Sequence, residues 1–325
     1  MSRIRIIAVL AALAAVNAPA GAQEWPTRPV TMVVPFAAGG GFDVLGRVIA
    51  QRLSGTLGQQ VIVENISGAA AIVGTNRVAK AAPDGYMFLL GSVGTHAYNP
   101  ALYKKLPYNP AADFAPVALF AEQPMVLITR KDFPASNLQE FIAYVKENGA
   151  KLQYGSAGVG ATTHVGCALL NAAAGINITH IPYRGGGPAM VDLMAGHVDY
   201  MCAGSVSAVQ QIASKTLKGI AILARSRSPL LPSLATAHEQ GLTNFEAVAW
   251  NAFFMPKGTP AAIVKKLNDA TIEAMNNPAV KDRMQELGVA TVAAERRSPD
   301  YLQKFVESEI AKWAAVIEAA GISMD

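Results

Sequence analysis

A strand, a glycine-rich turn and a helix follow one another within residues 30–50, and this order limits the folds open to the chain. The run VTMVV is apolar and mostly β-branched, which predicts a buried strand. Pro35 and three consecutive glycines follow it, and then comes a helical pattern with one apolar face. Glycine lets a ligand approach the backbone, and a helix N-terminus directs N–H groups and partial positive charge toward it. The segment therefore predicts an anion-binding turn.

Strands and helices alternate on both sides of this turn. The strand patterns QQVIVEN and YMFLLGS flank a predicted helix over residues 69–81, and a second round contains YGSAGVGATTH, again a strand, a glycine-rich turn and a helix. Such alternation predicts parallel sheets covered by helices. Two long extended runs, VALFAEQPMVLITR and FEAVAWNAFFMP, connect the rounds. We therefore expect two α/β domains, residues 23–121 with 247–325 and residues 122–246, joined by two crossing strands around a ligand cleft.

The first residues predict export. Arg3 and Arg5 precede an apolar run, and Ala20-Gly21-Ala22 supplies the small residues that a signal peptidase needs. Because the apolar run is too short to span a bilayer, we interpret residues 1–22 as a removed signal peptide and place the mature protein in the periplasm. Cys167 and Cys202 could pair there, but both have apolar neighbours, and we favour two unpaired core cysteines.

Composition and charge exclude several classes of partner. The chain is 51% hydrophobic and 15% charged, which predicts folded domains with large cores. Its net charge of +4 falls to +2 without Arg3 and Arg5, because 25 basic residues then face 23 acidic ones. The basic residues are scattered rather than clustered, so we expect no nucleic-acid partner.

Motif spacing argues against nucleotide, metal and hydrolytic sites. The glycines at 39–41 lack the third glycine of a dinucleotide motif and the lysine of a P-loop. Ser156 in a glycine-rich turn, with His164 two helical turns further on, leaves a serine hydrolase as an alternative. The surrounding residues do not form G-x-S-x-G, however, and the five histidines show no metal-ligand spacing. We expect no catalysis, no cofactor and no metal, and interpret Ser156, Thr162 and Thr163 as hydroxyl donors or helix caps.

The order of several segments resembles one known family. The segments are PFAAGGGFDVLGR, VIVEN, AAPDGYMFLLGS, NPALYKKLPYNPAADFAPVAL, YGSAGVGATTH, HIPYRGGGPAMVDLMAGHVDYM and PSLATAHEQG. On these, the mature chain resembles the Bug-type extracytoplasmic solute receptors of tripartite tricarboxylate transporters. The resemblance implies a two-lobed, type II periplasmic-binding-protein fold that closes like a Venus flytrap. It also implies a monomer that captures a small carboxylate, either a di- or tricarboxylate or an aromatic acid, for the transporter's membrane components.

The resemblance also implies which residues bind the ligand. A carboxylate sensor or scavenger without a transporter has the same expected site, so that alternative stays open. The expected ligand-binding residues are Phe36, Ala37, Ala38, Gly39, Gly40, Phe42, Asp43, Ser92, Thr95, His96, Ser156, Ala157, Gly158, Thr162, Thr163, Tyr183, Ala203, Gly204 and Ser205.

Four further positions bear on the ligand. Family members often carry a small hydroxyl residue at the position of Phe42 and an acidic one at Ala203, so this chain favours an apolar ligand body over an amino acid. Tyr183 and Trp250 lie near predicted strand ends, where they either roof the cleft or cover the core. Arg184 is the one basic residue placed to help bind an anion, or it is a surface side chain.

Overall fold

The computed structural model describes residues 25–243 and 245–322, so the predicted signal peptide lies outside the described residues. The strands are β1 (Val30–Val34), β2 (Val61–Asn65), β3 (Met87–Ser92), β4 (Phe114–Arg130), β5 (Gln153–Ser156), β6 (Thr179–Pro182), β7 (Tyr200–Gly204), β8 (Leu217–Ile222), β9 (Val248–Pro256) and β10 (Ala290–Thr291). The α-helices are α1 (Gly41–Leu57), α2 (Ile72–Ala79), α3 (Asn99–Leu102), α4 (Leu138–Asn148), α5 (Thr162–Ala174), α6 (Gly186–Ala195), α7 (Ser205–Ala213), α8 (Ala261–Asn276), α9 (Pro278–Glu286) and α10 (Pro299–Ala319). A π-helical turn at Gly94–Tyr98 and two 3₁₀ turns, Gly149–Lys151 and Ala294–Arg296, complete the list.

The first lobe is built on β1. This strand pairs in parallel with β2 and β3, as the alternation of strands and helices predicts. β3 then pairs antiparallel with β9, and β9 pairs antiparallel with the first part of β4. Helix α1 places Leu45, Ile49 and Leu53 against this sheet, and their spacing of four residues is that of one helical face.

The second lobe continues from the same long strand. β4 has 17 residues, which at about 3.3 Å per residue makes it roughly 56 Å long, enough to belong to two sheets. From Met125 onward β4 pairs antiparallel with β7 and β8, and β5 pairs in parallel with β6 and β7. β4 and β9 are therefore the two predicted crossing strands, and the two-lobed α/β prediction is confirmed. The exact domain boundaries that we predicted stay a prediction.

The C-terminal helix covers the first lobe beside the crossing strands. α10 buries Leu302, Val306 and Trp313 on one face, and its N-cap Ser298 accepts a hydrogen bond from the Tyr301 N–H. The carboxylate of Glu309 accepts hydrogen bonds from both Trp250 Nε1 (2.9 Å) and Trp313 Nε1 (2.8 Å). Across the described ranges, no helix has the length and apolar character needed to cross a membrane.

Cys167 and Cys202 form a disulfide, so the expectation of two unpaired cysteines is wrong. Cys167 lies on α5 and Cys202 on β7, and both side chains are fully buried. Each has the apolar surroundings that we expected, but the helix packs against the strand with the two side chains facing each other. A structural disulfide is typical of an oxidising compartment, which supports export.

The second helix begins three residues later than the sequence pattern predicts. Ala69, Ala70 and Ala71 all adopt left-handed backbone conformations, with φ values of 43°, 53° and 70°, and α2 starts at Ile72. Left-handed φ is unfavourable for residues with a Cβ, so a pattern of good helix formers gives no sign of this turn. Ala70 is held in place by its carbonyl, which accepts a hydrogen bond from Asn99 Nδ2 at 3.2 Å.

Candidate functional site

A cavity of about 50 Å³ lies between the two lobes, at the ends of the glycine-rich turns. A cavity needs roughly 10 to 15 Å³ of such space for each water molecule, so this one has room for about three to five waters or one compact ligand. Both lobes and both crossing strands contribute to its lining, which consists of Phe36, Gly40, Gly41, Phe42, Gln123, Met125, Ala157, Ala161, Thr162, Thr163, Gly186, Met190, Met201, Ala203, Gly204, Ser207 and Ala249. None of these described lining residues carries an ionisable side chain.

Four helices begin at this cavity. They are α1, α5, α6 and α7, and their N-cap residues are Gly40, Ala161, Gly185 and Gly204. Among the described residues, none of these four N-caps makes a side-chain capping hydrogen bond, whereas Asn137, Asn277 and Ser298 cap helices elsewhere in the fold. The first turn of a helix leaves N–H groups without partners inside the helix and carries about half a positive charge. In α7 one of these groups, the Val206 N–H, donates to Oε1 of the lining residue Gln123 at 3.4 Å. The cavity is therefore electropositive although no cationic side chain lines it.

Asp43 holds the first-lobe turn in shape instead of lining the cavity. Its carboxylate accepts hydrogen bonds from the Gly39 N–H (3.0 Å) and from Asn65 Nδ2 (3.0 Å), and it forms an ion pair with Arg47 (2.9 Å). Burial opposes ionisation of this carboxyl, but the bonds from Arg47, Gly39 and Asn65 outweigh burial and lower its pKa. Asp43 is thus an anion that fixes the turn.

Ser156 plays a similar part in the second-lobe turn. Its Oγ donates to the Gly158 carbonyl (3.1 Å), accepts from the Gly158 N–H (3.1 Å) and lies 2.6 Å from His180 Nε2. The side chain is fully buried, so a substrate cannot reach it, and no described carboxylate hydrogen-bonds His180 to complete a triad. His164, the partner that a hydrolase required, instead accepts a hydrogen bond from the Gly160 N–H through Nδ1.

The two threonines at the start of α5 have different environments. Thr163 Oγ1 accepts a hydrogen bond from the Ala157 N–H at 2.8 Å, so it stabilises the turn as well as lining the cavity. Thr162 is 4% exposed, and within the described part of the chain its Oγ1 has no hydrogen-bond partner. A buried hydroxyl without a partner is costly, and Thr162 is the lining side chain most in need of a polar ligand atom.

The lobes touch through glycines from each side. A Cβ on Gly187 would lie 3.1 Å from the Gly39 carbonyl carbon, and a Cβ on Gly185 would lie 2.9 Å from the Ala37 Cβ. The Ala37 N–H also donates to the Arg184 carbonyl at 3.4 Å. These contacts leave no room for a side chain at either position, so Gly185 and Gly187 permit the approach of the first-lobe turn.

Eight of the predicted site residues line the cavity. They are Phe36, Gly40, Phe42, Ala157, Thr162, Thr163, Ala203 and Gly204. Seven others surround it without lining it. Ala37, Ala38 and Gly39 meet the glycines of the opposite lobe, Asp43, Ser156 and Gly158 hold the turns, and Ser205 donates from Oγ to the Gly288 carbonyl at 2.7 Å.

Ser92, Thr95 and His96 lie in the interior. All three are fully buried, Thr95 Oγ1 bonds His96 Nδ1 at 2.8 Å, and the His96 ring stacks on Phe254 with centroids 3.7 Å apart. A π-helical turn follows β3 here and carries the Thr95 and His96 side chains into the core, which a strand-and-loop interpretation does not anticipate.

Trp250 and Tyr183, the two aromatic residues that we considered as a cover for the cleft, make contacts elsewhere. Trp250 is buried and bonded to Glu309, on the face of β9 that points away from the cavity. Tyr183 donates from its OH to Asp192 at 2.7 Å and borders a separate hollow at the rim of the interface, as does Arg184. Neither aromatic ring covers the ligand cavity.

Sequence reasoning missed the contribution of the crossing strands. Gln123, Met125 and Ala249 line the cavity from β4 and β9, and Met190, Met201 and Ser207 join them from the second lobe. The alternation of side chains along a strand could have identified Gln123 and Met125 as one face, had it been known which face meets the cleft. The run Gly185-Gly186-Gly187 at the start of α6 was an available signal of a third glycine-rich turn.

Two buried histidines, His96 and His164, and the half-buried His180 make stability depend on pH. Burial lowers the pKa of His96 to about 3, of His164 to about 4 and of His180 to about 3. The unfolded chain therefore binds protons below pH 6.5 while the folded protein does not, so folding stability falls as the pH drops from about 6.5 toward 4. For His96, which is fully buried, the expected loss between pH 7 and pH 5 is about 2 kcal/mol.

Urea unfolding at pH 7 and pH 5 measures this loss. In His96→Gln the difference in unfolding free energy between the two pH values should shrink, because glutamine takes up no proton in the unfolded chain. An equal pH dependence in wild type and His96→Gln would show that His96 does not contribute to the loss of stability at low pH.

Comparisons with known proteins agree with this geometry. The family described as "Tripartite tricarboxylate transporter family receptor" matches residues 45–322. MatC of Rhodopseudomonas palustris, solved with bound malate, is 41% identical with a TM-score of 0.88, over 90% of this chain and 100% of that one. The periplasmic binding protein BugD is 40% identical with a TM-score of 0.89, over 92% and 100% of the two chains. A further R. palustris protein, solved with adipate, is 34% identical with a TM-score of 0.88, over 93% and 100%.

Proposed function

Because this chain belongs to the tripartite tricarboxylate transporter receptor family, we propose that it captures a small carboxylate between its lobes and delivers it to the membrane components of such a transporter. The family consists of periplasmic solute-binding receptors rather than enzymes. The proposal rests above all on the N-termini of α1, α5, α6 and α7, which meet around a cavity whose described lining has no ionisable side chain. Such a site favours an anion and offers N–H donors to it.

Backbone donors from both lobes suffice for tight binding. In the proposed complex the first turn of α1 (Gly41 and Phe42) bonds one end of the ligand, and Thr162 and Thr163 bond the other. Micromolar affinity needs about 8 kcal/mol, and each hydrogen bond to a charged group contributes about 1.5 to 3 kcal/mol. Four to six such bonds supply about 6 to 18 kcal/mol, and burial of the ligand's apolar body adds to this against the ordering costs. Since donors from both lobes reach the ligand only when the lobes meet, binding shifts the population toward the closed form.

The walls of the cavity favour a ligand with an apolar body. Phe36 and Phe42 pack with ring centroids 4.8 Å apart, and the apolar side chains of Met125, Met190 and Met201 also line the cavity. No acidic side chain in the described lining is placed to receive an ammonium group. We therefore propose an aliphatic dicarboxylate or an aromatic acid as ligand, and not an acidic amino acid. The neighbours solved with malate and adipate support a dicarboxylate.

A thermal-shift and titration panel tests this proposal. Adipate, malate, benzoate and L-glutamate are each added to the mature protein, and at least one of the first three acids should raise the melting temperature while glutamate does not. At a concentration of 100 times Kd the expected stabilisation is about 2.7 kcal/mol. Tight glutamate binding without binding of the other acids would overturn the ligand class, and no response to any carboxylate would overturn the function.

The predicted processing and assembly complete the proposal. We propose that residues 1–22 are removed as a signal peptide, that the mature protein acts as a monomer in the periplasm, and that the hinge lies near residues 121–122 and 246–247. N-terminal sequencing of the exported protein and its mass in solution test the first two points.

A further inference from the structure

A second and larger hollow lies behind the crossing strands. Its volume is about 740 Å³, and both lobes form its walls. We call it the rear groove, and its relevant walls are Leu169, Ala172 and Ala173 on α5 and Lys312, Val316 and Ala319 on α10. Ala172, Ala173 and Val316 are exposed to solvent, so the groove is open and its small side chains leave it unfilled.

The rear groove and the ligand cavity occupy opposite faces of the same two strands. On β4, Gln123 lines the cavity and its neighbour Glu122 lines the groove. On β9, Ala249 lines the cavity, whereas Val248 and Trp250 line the groove. Successive side chains of a strand point to opposite faces, so this alternation places the two hollows on either side of the strands that join the lobes.

Helix α5 extends from one hollow to the other. Its first residues, Thr162 and Thr163, line the ligand cavity, and Ala172 and Ala173 in its last turn line the rear groove, about 15 Å away at 1.5 Å per residue. Between them Val165 and Leu169 pack in a hydrophobic cluster that is mostly formed by the first lobe. The disulfide from Cys167 fixes α5 to β7, so the helix moves with the second lobe.

The opposite wall of the groove belongs firmly to the first lobe. Trp313 on α10 and Trp250 on β9 both donate to the Glu309 carboxylate, which is itself almost buried. α10 also packs against the π-helical turn of the first lobe, where the rings of Tyr98 and Trp313 meet edge-on with their centroids 4.9 Å apart. A rotation of the lobes therefore moves Ala172 and Ala173 relative to α10.

We propose that Ala172 and Ala173 are positioning residues for ligand affinity, acting from the rear groove through α5. When the lobes rotate about the crossing strands and Thr162 leaves the first lobe, the last turn of α5 approaches α10 and the groove narrows. Small side chains at 172 and 173 permit this opening, and bulk at either position opposes it. This inference rests on the proposed function and concerns the regulation of the same ligand site.

Replacing Ala172 or Ala173 with tryptophan tests this inference. Ala173→Trp and Ala172→Trp fill the groove and should favour the closed form, whereas Ala314→Trp, on an exposed part of α10 that does not line the groove, is the matched control. A receptor whose closed form holds about 10% of ligand-free molecules gains about tenfold in apparent affinity when that form predominates. We expect such a decrease in Kd for adipate in both groove variants and no change in the control.

Small-angle X-ray scattering gives a second readout that needs no ligand. The radius of gyration of ligand-free wild type should exceed that of the groove variants, which should equal that of adipate-saturated wild type. Unchanged or weaker adipate binding together with an unchanged radius of gyration would overturn the inference while the proposed function stands. If wild type binds no carboxylate, the proposed function fails and the effect on affinity fails with it, and the scattering of the ligand-free variants then shows only whether bulk in the groove favours the closed form.

Discussion

Replacing both Cys167 and Cys202 with alanine should lower the free energy of unfolding by about 3 to 4 kcal/mol, because the disulfide restricts a loop of the unfolded chain. The two residues are 35 positions apart, and that loop contains the second half of α5, β6, α6 and the start of β7. Opening it restores conformational entropy to the unfolded state, while the folded state loses only two buried sulfur atoms. Denaturant unfolding at pH 7 under oxidising conditions measures the difference.

Reduced wild-type protein is the matched control for this experiment. It keeps both sulfur atoms but lacks the covalent link, so its stability should lie within about 1 kcal/mol of the alanine variant if the loop constraint dominates. A double alanine variant as stable as oxidised wild type would contradict the assignment of this disulfide. A variant that loses stability while reduced wild type does not would instead point to lost packing in the core.

The disulfide also shows where sequence reasoning stops. An apolar neighbourhood is the same for a core thiol and for a buried disulfide, so local sequence cannot distinguish the two at Cys167 and Cys202. The decision depends on how α5 lies across β7, which is a tertiary contact between segments far apart in the chain. Only the folded lobe brings the two sulfur atoms to bonding distance, so the sequence alone could not predict this disulfide.

The order of strands and helices was easier to predict than the disulfide, because the spacing of apolar residues indicates each element directly. The β-branched run at Val30–Val34 and the amphipathic C-terminal helices occur where the patterns predict them, and the run that contains β4 was long enough to suggest a crossing strand. Ala69–Ala71 is the exception, because contacts around Asn99 hold alanines in a conformation that their propensity opposes. There the tertiary environment outweighs local preference.

The site was predicted in part, for a related reason. Glycine-rich turns before helices are visible in a sequence, and they led to Gly40 and Thr162, which line the cavity. Gln123 and Ala249 were missed because their strands have two faces, and the sequence does not tell which face meets the ligand. His96 was included through the family resemblance, and the π-helical turn places its ring in the core.

Lobe closure should depend on the absence of side chains at Gly185 and Gly187. A Cβ on Gly187 would lie 3.2 Å from both the Ala38 carbonyl oxygen and the Gly40 nitrogen, and one on Gly185 would lie 3.0 Å from the Ala37 nitrogen. These neighbours are backbone atoms, which cannot move aside as a flexible side chain can. Neither glycine has a left-handed φ, so alanine fits each position within its own lobe, and only the closed form is obstructed.

The double variant Gly185→Ala/Gly187→Ala should therefore bind adipate about 100-fold more weakly, since loss of two hydrogen bonds to a charged group from one lobe costs about 3 kcal/mol. Its unfolding free energy should stay close to that of wild type, because the open form has no clash. Isothermal titration measures the affinity, and Gly55→Ala, at an exposed glycine of α1 with no neighbour within 4 Å, should bind as wild type does. Wild-type affinity in the double variant would mean that the loaded lobes stay further apart than they lie here, and that ligand contacts from one lobe are enough.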